Sequence, residues 1–373
     1  MRRRLQCVVL SMSLFLSGCL GQNRLDELTL VLTLGVDITK NGELDIYSAV
    51  PVFRKEAKKK TEILHVKASS FREGRDRFDD EANGLVETGK VQNIVISKKV
   101  LMKKGLFDLL DVIFRDPKSA LKADLVMANE TIEQVMNVNV QDKPLLSVYL
   151  RELIRSGHTS EASVYTTARK AYDQFYEKGI TPYLTEIKMG ENKLKIAGTA
   201  LINKRGYYVD SLDALESIQL LILQRDTKHP IFMTVQMKDE SFKGKDEESK
   251  NISYSIDYTD YKYQTSVKNG QFQFDLHFKY QIVLTEILVK ANPLKDKTRL
   301  EQAIALEMKK KMEAVVAKLQ KHQLDPIGLG KYARAFAYDQ WKEVEDDWGK
   351  AFSKAKVNIY PEVKIISIGS LKR

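Results

Sequence analysis

The chain has 373 residues, 43% of them hydrophobic, with only 8 prolines. It can therefore bury two or three cores of ordinary size, and it falls outside the disordered and collagen-like classes. Its two cysteines, Cys7 and Cys19, are too few for a disulfide scaffold. The net charge of +10 fits anionic partners, among them nucleic acid, phospholipid and acidic wall polymers.

The first nineteen residues decide among these. Arg2, Arg3 and Arg4 open the chain, Val8, Val9, Leu10, Leu14 and Phe15 dominate an apolar run, and Leu16-Ser17-Gly18-Cys19 closes it. The run is shorter than the roughly 20 residues of a spanning helix, and Ser11, Ser13, Ser17 and Gly18 dilute it. This is a secretion signal with a lipid-attachment ending: residues 1–18 are removed and Cys19 becomes a diacylglyceryl-modified N-terminus. Cys7 leaves with the signal, so the mature chain has no thiol left for a disulfide or a metal. Losing three arginines lowers the net charge from +10 to +7. Export makes nucleic acid an improbable partner, and membrane lipid becomes the expected one.

Residues 19–28 form a lipidated tether. A strand over Leu30–Val36 and its return over Ile46–Phe53 are joined through Lys40-Asn41-Gly42, a turn that accepts positive φ. Arg54 to Lys60 is a basic run, expected as a solvated loop. A strand over Ile63–Ala68 leads to a helix capped by Ser69 or Ser70, with Phe71, Phe78, Ala82 and Leu85 on its apolar side. Ile94-Val95-Ile96 is a buried strand, Leu106–Phe114 a helix stopped by Asp116-Pro117, and Ala123–Ala128 another strand. The pattern turns helical from Leu145 to Tyr176, with a break at Ser156-Gly157-His158-Thr159. A domain boundary is placed near Gly190, giving an N-terminal α/β region over 29–190 and a C-terminal domain over 191–373.

In the second region Leu194–Ile202 and Tyr207–Val209 form a hairpin, and a helix beginning near Ser211 carries Leu212, Leu215, Ile218, Leu221 and Ile222 on one face. Phe232–Met237 resumes the sheet, and Lys243–Lys250 is a charged loop. Ile252, Tyr254, Ile256 and Tyr258 alternate with polar residues, as do Phe272, Phe274, Leu276, Phe278, Tyr280 and Ile282. Period two over this length means antiparallel strands covered on one face, joined here through Lys268-Asn269-Gly270. The cover is an amphipathic helix over 298–320 with Leu300, Ile304, Met308, Met312, Val315 and Leu319 on one side. Asp325-Pro326-Ile327-Gly328-Leu329-Gly330 turns into a further helix over Lys331–Phe352 that carries Trp341 and Trp348, and a final strand runs over Val357–Ile368. The expected class is α+β, multi-domain, with an antiparallel sheet packed by a long helix in the C-terminal domain.

A catalytic or metal constellation is not legible. His65, His158, His229, His277 and His322 are far apart in sequence, no Gly-x-Ser-x-Gly elbow is present, and Asp79-Asp80 and Asp346-Asp347 are adjacent pairs that point in different directions along helices. No catalytic, cofactor or metal residue is assigned; the one site residue is Cys19, for lipidation.

Several stretches together resemble one family, the Ger(x)C lipoprotein subunits of nutrient germinant receptors in endospore-forming bacteria. They are Leu34-Gly35-Val36-Asp37; Val100-Leu101-Met102-Lys103-Lys104-Gly105-Leu106 with Phe114-Arg115-Asp116-Pro117; Ala197-Gly198-Thr199-Ala200-Leu201; and Asp325 to Gly330 followed by Trp341 and Trp348. The chain departs from the family after the lipidated cysteine, where Leu20-Gly21 replaces the usual Trp-Asp. The resemblance implies three mixed α/β domains on the outer face of the spore inner membrane, no enzymatic activity or cofactor, and two integral membrane receptor subunits as partners in triggering germination. The alternatives are a lipid-anchored solute-binding protein that captures a nutrient directly, which predicts two similar lobes around a cleft, and an envelope hydrolase, which predicts clustered acids in a groove.

Overall fold

The computed structural model describes residues 28–53, 60–82, 84–115, 119–138, 145–228, 230–237 and 250–368. Cys19 and the signal, the basic run at 54–59, Asp116-Pro117, His229 and all but Lys250 of the charged loop 243–250 lie outside the described residues.

The first half is built on one eight-stranded sheet. Its strands are β2 (Thr33–Ile38), β3 (Leu44–Pro51), β4 (Thr61–Ala68), β6 (Asn93–Ser97), β7 (Asp124–Ala128), β8 (Tyr183–Met189), β9 (Leu194–Ile202) and β10 (Tyr208–Leu212), in the order β10-β9-β8-β7-β6-β2-β3-β4. Two short strands, β1 (Leu28–Leu30) and β5 (Leu85–Glu87), pair with each other at one side. The centre, β2-β6-β7-β8, is parallel, and an antiparallel meander flanks it on each side. Parallel neighbours need crossovers, so both faces are covered. One face packs against α1 (Phe71–Glu81), α2 (Lys98–Lys103) and α3 (Phe107–Arg115), enclosing Val36, Ile46, Phe78, Ile94, Ile96 and Leu110. The other packs against α4 (Ile132–Met136) and α5 (Leu146–Thr159) through Tyr47, Val95, Val126, Leu150 and Ile154. That two-sided cover is why every residue of β6 and β7 is buried.

Helix α6 (Ala168–Tyr176) leads into β8. The boundary placed near Gly190 falls on the turn of the β8–β9 hairpin, where the Gly190 N–H donates to the Lys193 carbonyl at 2.7 Å. A division there separates chain segments rather than sheets, since the first sheet continues to Leu212. With α7 (Ala214–Gln224) the chain passes into the second core, to which Val164, Ile180, Tyr183, Leu201 and Leu212 already contribute and which here gains Leu220, Leu221, Ile222 and Leu223. Asp213 and Glu216 form a reciprocal capping box at the start of α7, which fixes its entry.

The second sheet has the order β11 (Ile231–Gln236), β12 (Asn251–Lys268), β13 (Gln271–Ile287), β14 (Lys356–Ser367). The β12–β13 turn carries Asn269 at φ 51° and Gly270 at φ 74°, the paired left-handed conformation of a tight hairpin. Helix α8 (Lys297–Lys321) lies over this sheet and buries Leu300, Ile304, Met308, Met312, Val315 and Leu319. Unlike its neighbours, β14 runs parallel to β13, because the chain returns to it through a helical crossover. Three short helices complete that crossover: α9 (Leu329–Phe336), α10 (Tyr338–Val344) and α11 (Trp348–Lys354).

Several local expectations differ from the structure. Leu85 is 54% exposed at the start of β5, because α1 ends before it. Gly157 does not break α5; it lies inside the helix, where a Cβ would meet Ile196 Cγ1 at 2.5 Å, so it is there for close packing. Leu215 on α7 and Tyr258 on β12 are exposed, the second because a register shift after Ile256 turns it out of the core face. The helix expected over Lys331–Phe352 is broken at Ala337 and by a 3₁₀ turn at Glu345–Asp347, which folds Trp348 back toward Asp325.

Candidate functional site

The resemblance stretches are joints in the structure. Asp37, at the end of β2, is buried; its Oδ1 accepts from the Ser97 hydroxyl at 2.7 Å and its Oδ2 from the Ile132 N–H at 3.0 Å, so it ties β6 and the start of α4 to β2. Gly35 lets α4 lie close, since a Cβ there would meet Ile132 and Met136 within 2.4 Å. The Leu106 N–H, beside Gly105, donates to the Gly206 carbonyl at 2.7 Å and pins the α2–α3 connection to the β9–β10 turn.

The largest joint is around Asp325, where the two halves of the chain meet. Asp325 is fully buried. Its Oδ1 accepts from the Gly328 N–H at 2.8 Å, and its Oδ2 from the Gly330 N–H and the Trp348 indole N–H, both at 2.8 Å. The carboxylate thus caps α9 and recruits α11 at once. Burial pushes its pKa up, opposed by the Trp348, Gly330 and Gly328 donors. The Asp325 carbonyl accepts from the Thr181 N–H at 2.9 Å, so the same residue reaches the strand leading into β8. Pro326 is held from a third direction, by the Gln224 side-chain amide at 2.7 Å from its carbonyl.

Beside this hub, backbone packs on backbone. A Cβ at Gly330 would meet Gly179 Cα at 2.7 Å, and one at Gly179 would meet the Lys331 amide nitrogen at 2.7 Å. Around the rim Arg334 donates two hydrogen bonds to Glu177, both at 2.9 Å, and Lys178 pairs with Glu345 and Asp346 at 2.9 and 2.7 Å. Burial would raise the Glu177 pKa, but the Gly179 N–H and the Arg334 guanidinium hold it below the usual carboxylate value. Lys204 donates to the carbonyls of Gln174, Phe175 and Glu177, satisfying the end of α6, and burial pushes its pKa down to about 8.

A second joint links the same halves. Glu161 is buried at φ 58°; one oxygen accepts from the Lys228 N–H at 2.5 Å and the other has no hydrogen-bond partner. Burial and the neighbouring Asp226 push its pKa up to about 7, with the Lys228 N–H and charge opposing. A carboxyl whose folded pKa lies above its unfolded value costs the fold stability progressively as pH rises from the unfolded to the folded pKa, and the loss is complete above the folded pKa. Stability is therefore expected to fall by up to about 3 kcal/mol between pH 4.5 and 7. Denaturant titrations at stepped pH should show this decline in the wild type and a flatter profile in Glu161→Gln; parallel profiles would refute it.

Cys19 lies outside the described residues. Of the five histidines, His65 meets Asp45 at 2.5 Å and stacks on Tyr47, His158 stacks on Tyr165, His277 stacks on Tyr360, and His322 meets Asp210 at 3.1 Å; the structure brings no two of these four together. Among the described residues no group of three His, Cys, Asp or Glu side chains is placed to hold a metal ion. Sequence reasoning missed Glu177, Lys178, Gly179 and Lys204, because their partners lie far along the chain and no local pattern marks them.

Comparison with known proteins matches both halves. The family models described as "Spore germination protein N-terminal domain" and "Spore germination B3/ GerAC like, C-terminal" cover residues 21–189 and 197–369. Spore germination protein GerQC of Bacillus cereus is 23% identical, over 96% of this chain and 97% of its own length. Spore germination protein KC of Bacillus subtilis (strain 168) is 19% identical, over 94% and 92%. The crystal structure of the GerBC protein shares the fold, with a TM-score of 0.60 at 17% identity, covering 89% of this chain and 96% of that one. Matched in order along almost its whole length, the chain belongs to the Ger(x)C family of spore germination proteins.

Proposed function

We propose that the protein is the non-enzymatic lipoprotein subunit of a nutrient germinant receptor. It is held by lipidated Cys19 on the outer face of the spore inner membrane and acts with two integral membrane subunits to trigger germination. The observation that carries this reading is family membership across both halves. The Asp325 joint supports a coupling role, because a displacement of one half must be passed to the other through backbone packed on backbone. The tether supports the location: Leu28 starts β1 nine residues after Cys19, which keeps the start of β1 within about 30 Å of the bilayer. The unlike sheets, eight mixed strands and four, argue against a solute-binding protein of two similar lobes.

Two experiments test it. Cys19→Ala is expected to deplete the protein at least about tenfold from the inner-membrane fraction of spores, because one acyl-bearing anchor replaces any spanning segment. Unchanged membrane yield would refute the anchor. Affinity purification of the tagged chain from solubilised spore membranes should bring down two integral membrane proteins, and recovery of the chain alone would refute the subunit assignment.

A further inference from the structure

We propose that helix α2, with the β9–β10 turn beside it, is a docking face for an anionic phospholipid surface, that of the bilayer which holds the anchor. The stretch from Lys98 to Gly105 divides by side. Val100 and Leu101 are fully buried against the first sheet, whereas Lys99, Met102 and Lys103 face outward, with Met102 59% exposed. Lys98 and Met102 stand four residues apart, as do Lys99 and Lys103, so the outer side of the helix carries both pairs as neighbouring rows. Gly105 brings in a further cation. A Cβ there would meet the Arg205 carbonyl oxygen at 3.1 Å, so the β9–β10 turn sets exposed Arg205 against the end of this stretch.

The charges on this face are largely unspent. Lys98 lies over the Tyr208 ring at 4.4 Å and Lys99 donates to the Ile38 carbonyl at 2.9 Å, which orients both ammonium groups without neutralising them. Lys103, Lys104 and Arg205 form no ion pair with any described residue. The acid nearest to the stretch in sequence is Asp108, in the first turn of α3, which leaves positive charge in excess. An exposed thioether among cations matches a membrane interface: the apolar side chain enters the acyl boundary while the cations meet lipid phosphates. Each cation brought to an anionic surface strengthens the contact about fivefold. An acidic protein surface would also attract these cations, but the anchor favours lipid. The tether keeps the start of β1 within about 30 Å of the bilayer, and β2, about 20 Å long, ends at Ile38 beside Lys99, so α2 meets the surface as an intramolecular event at high effective concentration. This step rests on the membrane anchoring of the receptor reading.

The test is hydroxyl-radical footprinting of the full-length lipidated chain in nanodiscs, read by mass spectrometry, in phosphatidylcholine alone and with phosphatidylglycerol at about 30%. Met102 is expected to oxidise at least about threefold more slowly in the anionic discs at low salt. Phe336, 67% exposed on the second half, should react at the same rate in both. The protection of Met102 should vanish at about 0.5 M salt, where the Debye length falls to about 4 Å. Lys103→Glu with Lys104→Glu should abolish it as well and leave the unfolding midpoint near the wild-type value, because neither side chain belongs to the core; the salt arm reads the same dependence on the unaltered chain. Equal Met102 rates in the two lipids, protection that survives salt or the double substitution, or protection that appears only when other spore membrane proteins share the disc would each overturn the proposal, the last by assigning the face to a protein partner. The discs hold this chain alone, so a negative result leaves the subunit assignment standing, and an unlipidated Cys19 shows separately as failure to co-elute with the discs.

Discussion

Asp325→Ala is expected to lower the free energy of unfolding by about 3–5 kcal/mol, read as a shift in guanidinium midpoint at constant slope. The carboxylate accepts three hydrogen bonds, from Gly328, Gly330 and the Trp348 indole, in a site with no solvent access. Removing it strands three buried donors, each worth about 1–3 kcal/mol when left unmade, with partial relief where the joint loosens. Asp325→Asn is expected to cost less, about 2–3 kcal/mol, because one oxygen survives as an acceptor while the new amide faces N–H donors. Trp348→Phe removes one donor and keeps the carboxylate on Gly328 and Gly330, so it should fall below both. A cost under about 1 kcal/mol for Asp325→Ala would show that the joint does not hold the halves together. In spores the same variant should depress germination more than Cys19-independent export, separating failure of coupling from failure of delivery.

The contrast between Asp325 and its neighbours shows what the residues alone could convey. Local pattern was enough for the strands, because period two in β12 and β13 reports one covered face, and for α8, because its apolar residues recur at helical spacing. It was enough to mark Asp325 to Gly330 as a turn that ends one helix and starts another. It did not show that the turn is buried against Gly179, since a glycine kept for close approach and a glycine kept for a loop read alike. Gly157 was misread in that way. The eight-stranded sheet was hidden for a related reason: β2 pairs with β6, and β8 with β7, across intervening helices, and no local signal specifies a parallel neighbour.

The second large effect is expected at Gly198, in the Ala197-Gly198-Thr199-Ala200-Leu201 stretch. Gly198 lies in β9 at φ 142°, a conformation that side-chain-bearing residues avoid, and its carbonyl accepts from the Ser163 hydroxyl at 2.5 Å. A Cβ there would sit 1.9 Å from the Leu212 carbonyl oxygen and 3.0 Å from Asp213 Cα. Those are backbone atoms at the end of β10 and the cap of α7, so they cannot rotate aside. Relief requires moving the start of α7 off β9, which opens the step by which the chain leaves the first sheet for the second core. Gly198→Ala is therefore expected to cost more than about 4 kcal/mol, in the range reserved for specific structural conflicts. Gly42→Ala is the control: Gly42 also has positive φ, at 88°, but nothing lies within 4 Å of the added Cβ, so only the conformational cost of about 1 kcal/mol remains. Soluble yield and denaturation midpoints of the two variants side by side separate crowding from backbone strain. If both lose the same stability, the close passage of β9 beneath the start of α7 is not what the glycine serves.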